Sequence, residues 1–415
     1  MEEYSVHTPH PKYFGLFNPR SNFAGVIADL ITASYNPQLA AWSHAPFAVE
    51  IEAKIIQEFA LKFGYQLADC DGVFTTGGAE ANLTAILCAL NHKYPEYAKD
   101  GLFGVDKKPT IFCSEEAHHS VQKAAKVVGL GYDLVRTINT TNNLKLDTES
   151  LERELAKTKD SSFSPLMVIG TAGTTGTGTI DDLRLLNKLS KKYSAWFHVD
   201  AAYGGASIIS GKLKHLLAGV EYSDSITLDA HKWMSVPMST SVFLTSQREV
   251  LGKTFRISTE YMPKEAKEMD VVEPFTHSIQ WSRRFNGLKI YLSLLFYGWD
   301  GFEKIINLQA EMGNLLKKKL IDSGWIIKNE TGLPVVCFTD NRFETDFSFT
   351  KKILNNLISS GRSWLSVYPV KEIQTFRACI TNYNTTEEEI NELVDELNEE
   401  RKNYIINRNA LQQTI

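Results

Sequence analysis

Between about residues 50 and 250 the apolar positions switch repeatedly between two periods. EIEAKIIQEFALKFG carries apolar residues at helical spacing, TIFCSE is a short apolar run, and HHSVQKAAKVVGL returns to helical spacing. The alternation continues through a strand DLVRTI, a helix TESLERELAKT, a strand PLMVIGTAG, a helix DDLRLLNKLSKKY and two further strands, AWFHVDAA and DSITLD. Strands alternating with helices on this scale predict an α/β fold, a mostly parallel sheet with helices on both faces and ligands beyond the carboxyl ends of its strands. Functional residues are therefore expected at strand ends.

A long helical pattern then runs from about Phe285 to Leu320, after which the strand candidates PVVCFT, WLSVYP and TFRACIT mix with two helices. That mixture predicts a small C-terminal α+β domain. Ile390, Leu393, Val394 and Leu397 lie at helical spacing within an acidic run, which reads as a helix with a solvated face. The resulting division is an N-terminal segment over 1–50, a large domain over 51–309 and a small domain over 310–415.

Composition narrows the possibilities without choosing among them. A chain of 415 residues can bury a large core, and its 22% charged and 43% hydrophobic residues are ordinary for a globular protein. The net charge of −5, with no Lys/Arg stripe interleaved with aromatics, argues against nucleic acid as a partner. The start MEEYSVHTPHPKYFG has no basic region followed by an apolar core, and no apolar run approaches the roughly 20 residues that span a bilayer. Five scattered cysteines without metal-ligand spacing read as reduced core residues. A cytoplasmic protein with no metal site and no membrane contact is expected.

Four local features carry chemistry. In DSITLDAHKWMSVP, Lys232 follows a strand and is flanked by Ile226, Leu228, Trp233 and Met234; a poorly solvated amine has its charged form disfavoured and can attack a carbonyl. In TTGGAEANL, Gly77 and Gly78 precede a helix whose free amides and dipole favour a phosphate. The stretch lacks the spacing of nucleotide-binding glycine loops. In WFHVDAAYGG, Asp200 ends an apolar strand and needs a positive partner, such as a protonated pyridine nitrogen. In SEEAHHSVQKAA, His118 and His119 stand between a strand and a helix, where one imidazole can stack on a flat ring. Each feature has an ordinary structural reading: a surface lysine, a glycine turn, a capping acid, a packed histidine. Together they meet the four needs of pyridoxal 5'-phosphate, an amine for its aldehyde, a cradle for its phosphate, an acid for its ring nitrogen and a ring to stack on it.

From HPKYFGLFNP through WSHAPFAVEIE, TTGGAEANL, EEAHHSV, GTAGTTGTG, HVDAAYGG and DAHKW to WSRRFNGLK and FRACITN, the chain resembles the group II pyridoxal-phosphate-dependent amino-acid decarboxylases. The resemblance implies the fold-type I architecture with a seven-stranded central sheet, and a homodimer with shared active sites. It implies that Lys232 holds the cofactor aldehyde, that His231 contacts the phosphate and that Gly78 and Ala79 bind it through backbone amides. It further implies that His118 stacks on the ring, that Thr175 lies against the cofactor, that Asp200 pairs with the ring nitrogen and that Ala202 packs on the other ring face. Tyr261, in the polar stretch FRISTEYMP, falls where the family has a tyrosine on a mobile loop that protonates the reaction intermediate; a phenylalanine there accompanies aldehyde-forming relatives.

Two departures stand out. Relatives often carry asparagine three residues before the lysine, whereas this chain has Asp229, a carboxylate that repels a nearby phosphate unless it turns away or is paired. In FNPRSNF, aligned with part of the substrate pocket, Arg20 could clamp a carboxylate and so select an acidic substrate; if it does not, Phe17 leaves room for an aromatic one. The expected activity is decarboxylation of an L-amino acid to an amine. The alternatives are an aminotransferase, lyase or aldehyde synthase on the same fold, or an idle homologue kept as a scaffold.

Overall fold

A computed structural model describes residues 4–159, 161–257 and 271–413. Seven strands form the central sheet: β1 (Asp71–Thr75), β2 (Lys108–Ser114), β3 (Val135–Ile138), β4 (Phe163–Thr171), β5 (Trp196–Asp200), β6 (Ser225–Asp229) and β7 (Ser241–Thr245). Their order is β1-β7-β6-β5-β4-β2-β3, with β7 antiparallel to both neighbours and the remaining pairs parallel. The sequence alternation predicts this mostly parallel sheet. DGVFT and SVFLT, the short edge-side strands β1 and β7, are not among the predicted elements.

The central strands are buried on both faces, and their side-chain period of two feeds two separate cores. Phe74, Phe112, Val168, Phe197, Leu228 and Val242 join one; their neighbours Val73, Ile111, Met167, Trp196 and Phe243 join the other. The first core is closed by helices including Pro46–Phe63 and Gly287–Asp322, through Ile55, Phe59, Ile290 and Phe302. The second is closed by Gly78–Lys93 and Ser120–Val127, whose inner faces present Ala81, Ala85, Ile86, Val121 and Ala125. The small alanine residues let Gly78–Lys93 ride close to the sheet.

The helical run Gly287–Asp322 is broken at Gly298, whose φ of +64° is a conformation glycine adopts without penalty. Beyond it, β8 (Ile326–Ile327), β9 (Val335–Thr339), β10 (Ser366–Val370) and β11 (Ile373–Cys379) make an antiparallel sheet in the order β10-β11-β9-β8. Helices Phe347–Ser360 and Glu387–Gln413 pack on it around Phe338, Phe349, Phe376 and Leu393. No helix of the described residues is long and apolar enough to cross a membrane.

Candidate active site

β1, β2, β5 and β6 run in the same direction, so their carboxyl ends share one edge of the sheet, and each is followed by a residue the sequence singles out. β6 ends at Asp229 and the chain turns, with the amide of Lys232 donating to the Asp229 carbonyl at 3.2 Å. Trp233 and Met234 point into the core and are fully buried, whereas the Lys232 side chain keeps a quarter of its surface and its Nζ lies 2.8 Å from Asp229 Oδ2. The expected apolar surround of the amine is thus corrected. The turn sends the apolar neighbours inward and leaves Lys232 facing a carboxylate.

Asp200, buried at the end of β5, is held at both oxygens: Asn82 Nδ2 donates to Oδ2 at 2.9 Å and the Ala202 amide to Oδ1 at 3.1 Å. Asn82 in turn donates to Ser120 Oγ at 2.9 Å and accepts from Thr227 Oγ1 at 3.1 Å. Its Oδ1 also lies 3.1 Å from His198 Nε2, and His198 Nδ1 lies 2.8 Å from Ser225 Oγ, which accepts from Trp196 Nε1 at 2.8 Å. Burial pushes the His198 imidazole well below its ordinary value, against the pull of Asp200. A neutral ring donating from Nε2 to Asn82 satisfies every member of the chain. Asp200 therefore keeps a fixed orientation, with lone pairs left for a cationic N–H.

Four charges act on His118: those of Asp200, Lys232, His119 and Asp229. Burial pushes this imidazole down, Asp200 pulls it back and Lys232 pushes it further down, which favours the neutral, stackable ring. The His118 Nδ1 accepts from the Ser120 amide at 3.2 Å, so the helix start fixes the ring. The charges of Asp200 and Lys232 both reach the His118 ring.

The cradle is equally specific. A Cβ on Gly78 would lie 3.0 Å from Asp229 Oδ2 and 3.2 Å from Ala202 Cβ, so a side chain there would crowd both by a few tenths of an ångström, which glycine avoids. Ala79 is exposed next to it. His231 is buried, its Nδ1 2.9 Å from the Thr240 carbonyl and its Nε2 3.8 Å from Asp229 Oδ2, and burial pushes it below its ordinary value. Thr175 is exposed at the tip of a turn whose base is tied by the hydroxyls of Thr174, Thr177 and Thr179. An amine, a buried acid for a ring nitrogen, an imidazole biased to its neutral form and a glycine-led helix start at one edge of the sheet fit pyridoxal 5'-phosphate.

Around this core lie the substrate-pocket candidates Phe17 and Arg20, together with Arg377 and Lys289, which the sequence did not mark. Phe17 stacks on Tyr203 with ring centroids 3.8 Å apart, and Lys232 Nζ stands 6.0 Å from the Phe17 ring. Arg377, in the FRACITN stretch, stands 4.9 Å from the same ring. It is buried, donates to the carbonyls of Gly15 and Gly176 at 2.7 and 2.9 Å, and leaves Nη2 without a partner. Arg20, by contrast, is exposed beside the Tyr383 hydroxyl. A buried lysine, Lys289, donates to the Met238 carbonyl at 2.9 Å, and both the backbone and side chain of Asn22 donate to the Ser235 carbonyl at 2.7 and 3.0 Å. These bonds strap the loop that follows Lys232 to helices Phe23–Tyr35 and Gly287–Asp322. A polar residue in an otherwise buried strand was the available signal for Arg377 and His198. Tyr261 lies outside the described residues. A cavity of about 960 Å³ lined by Tyr65, His92, Glu221, Arg248 and Lys253 opens at the opposite edge of the sheet and includes none of the site residues.

Comparison with known proteins agrees with the geometry. The chain is 29% identical over 394 residues to an aromatic-L-amino-acid decarboxylase from Bacillus atrophaeus, covering 93% of this chain and 80% of that protein. Mouse CSAD superposes with a TM-score of 0.90 at 25% identity, covering 96% of this chain and 85% of that one. Oryza sativa TDC with PLP and tryptamine superposes at 0.89 with 22% identity, covering 95% and 85%. Rhodiola rosea 4-hydroxyphenylacetaldehyde synthase does so at 0.86 with 24% identity, covering 96% and 85%. The fold is therefore fold-type I. The profile of the pyridoxal-dependent decarboxylase conserved domain matches residues 3–340, and the chain belongs to that family, as a carboxy-lyase whose cofactor is pyridoxal 5'-phosphate.

Proposed function

We propose that Lys232 holds the cofactor and that the protein converts an L-amino acid to its amine and carbon dioxide. The observation that carries this reading is the convergence of Lys232, Asp200, His118 and the Gly78 cradle at one edge of the sheet. Bound pyridoxal phosphate supplies the electron sink for the bond that breaks. The protein's part is placement. Asp200, fixed by Asn82 and the Ala202 amide, keeps a proton on the ring nitrogen; His118 and Ala202 hold the ring between them; Gly78, Ala79 and His231 take the phosphate; Thr175 lies at its margin. Holding the substrate in one orientation removes a large entropic barrier. Tyr261, by its residue type, supports proton return at carbon rather than aldehyde formation.

An aromatic substrate is favoured by the Phe17 ring beside Lys232 and by the aromatic-amino-acid decarboxylase relative. An acidic one is favoured by Arg377, which brings a positive charge to the Phe17 ring, and by Arg20 at the surface. A panel of aromatic amino acids, aspartate, glutamate and cysteine sulfinate, read for carbon dioxide, amine, keto acid and peroxide, separates these. Keto acid without carbon dioxide, or aldehyde with peroxide, overturns simple decarboxylation; cofactor uptake with no turnover of any substrate supports the scaffold alternative.

The same reading includes a cytoplasmic homodimer with shared active sites and the three-part division into 1–50, 51–309 and 310–415. Helix Phe23–Tyr35 packs against Gly287–Asp322 and turns Phe23, Val26 and Leu30 outward, while Leu295 and Phe296 are two-thirds exposed on the second helix. Apolar faces of this kind cost free energy in water and fit a second copy of the chain. The N-terminal helix then links the dimer contact to the Lys232 loop through Asn22.

A further inference from the structure

One carboxylate at the site has no part in the reading above. Asp229 closes β6 and is 3% exposed. Its Oδ2 lies 2.8 Å from Lys232 Nζ, and its Oδ1 accepts from Ser241 Oγ. The 3.0 Å approach of Oδ2 to the position of a Gly78 Cβ places the carboxylate against the start of helix Gly78–Lys93, where the free amides gather. A phosphate seated on those amides is a direct neighbour of this anion.

We infer that Asp229 sets how tightly the protein holds its cofactor, neutralising Lys232 in the absence of pyridoxal phosphate and opposing the phosphate in its presence. The inference rests on the pyridoxal-phosphate reading of the site. Two effects act in the same direction. Lys232 must leave Asp229 to engage the aldehyde, which breaks the ion pair and strands a buried carboxylate. The stranded charge then confronts the phosphate with the Ser241 hydroxyl bonded to it and His231 3.8 Å away. His231 does not neutralise it, because burial favours the uncharged ring. Ser241 holds the carboxylate in place, so it cannot turn away without losing that hydrogen bond.

The test compares the wild type with Asp229→Asn, which keeps the side-chain shape and an acceptor for Ser241. Both are stripped of cofactor with hydroxylamine and titrated by visible absorbance, once with pyridoxal phosphate and once with pyridoxal, the same ring without the phosphate. The variant is expected to bind pyridoxal phosphate at least ~10-fold more tightly, since a contact between like charges in a protein interior exceeds the ~1.4 kcal/mol that makes a tenfold change. Pyridoxal should gain clearly less. Asp229→Ser, which also removes the charge, should move in the same direction and serves if asparagine prevents folding. A wild type that binds pyridoxal phosphate while neither variant binds it more tightly overturns this inference alone. An equal gain for both ligands also overturns it, because the effect then lies wholly in Lys232. A wild type that takes up no pyridoxal phosphate overturns the cofactor reading and this inference with it.

Discussion

Replacing Asn82 with alanine should unfasten Asp200 and destabilise the fold by about 3–5 kcal/mol. The side chain is 2% exposed and uses its full bonding capacity, two donors to Ser120 and Asp200 and two lone pairs facing Thr227 and His198. A bond to a charged group contributes about 1.5–3 kcal/mol, and each stranded buried neutral group costs about 1–3 kcal/mol. The sum is reduced because Asp200 keeps the Ala202 amide, and because the vacated space has enough polar partners to admit a water. Denaturant unfolding of the cofactor-free protein should show the midpoint falling with an unchanged slope. Asn82→Asp should be at least as damaging, since it sets a second carboxylate beside Asp200. A loss below about 1 kcal/mol in both variants would refute the buried network, because no stranded polar group costs so little.

Three further outcomes follow from the same geometry. The His198 imidazole is held below its ordinary value of 6.5, so the folded protein binds fewer protons than the unfolded chain and loses stability as pH falls below about that value. His198→Gln removes this term, so the gap in unfolding midpoint between variant and wild type should narrow from pH 8 to pH 5; a constant gap would contradict the buried neutral ring. Arg377→Lys should raise KM by at least ~10-fold, the effect of losing a planar, charge-assisted anchor, while Arg20→Ala changes it by less than ~3-fold; the reverse order, measured by steady-state kinetics, would return the anchor to Arg20. On the proposed homodimer, Leu30→Arg should favour monomer over dimer in sedimentation velocity and weaken cofactor retention through Asn22; an assembly state equal to that of the wild type would contradict this interface.

The sequence is informative where chemistry and periodicity coincide. Asp200 and Lys232 are legible because a charge at the end of an apolar strand needs a reason. His198 stands on the same strand, two residues before Asp200 and on the same face, yet it reads as one more residue of a buried run until Asn82, 116 positions away, is found against it. β1 and β7 escape because DGVFT and SVFLT pair with one another across the whole domain, a contact that no local pattern carries. Helix Phe23–Tyr35 escapes for another reason. Its outward face is apolar as well as its inward one, which removes the contrast that reveals an amphipathic helix. Asp229 was visible as a departure, but that it pairs with Lys232 rather than turning away is a property of the turn between them.

The central claim is that the cofactor is carried by Lys232. Reducing the holoprotein with borohydride fixes the pyridoxyl group to whichever amine holds it, and peptide mass spectrometry then reads the position. A single adduct on the peptide containing Lys232, absent in Lys232→Ala, is the expected result; an adduct on Lys289 or another lysine, or one that persists in that variant, would contradict the assignment.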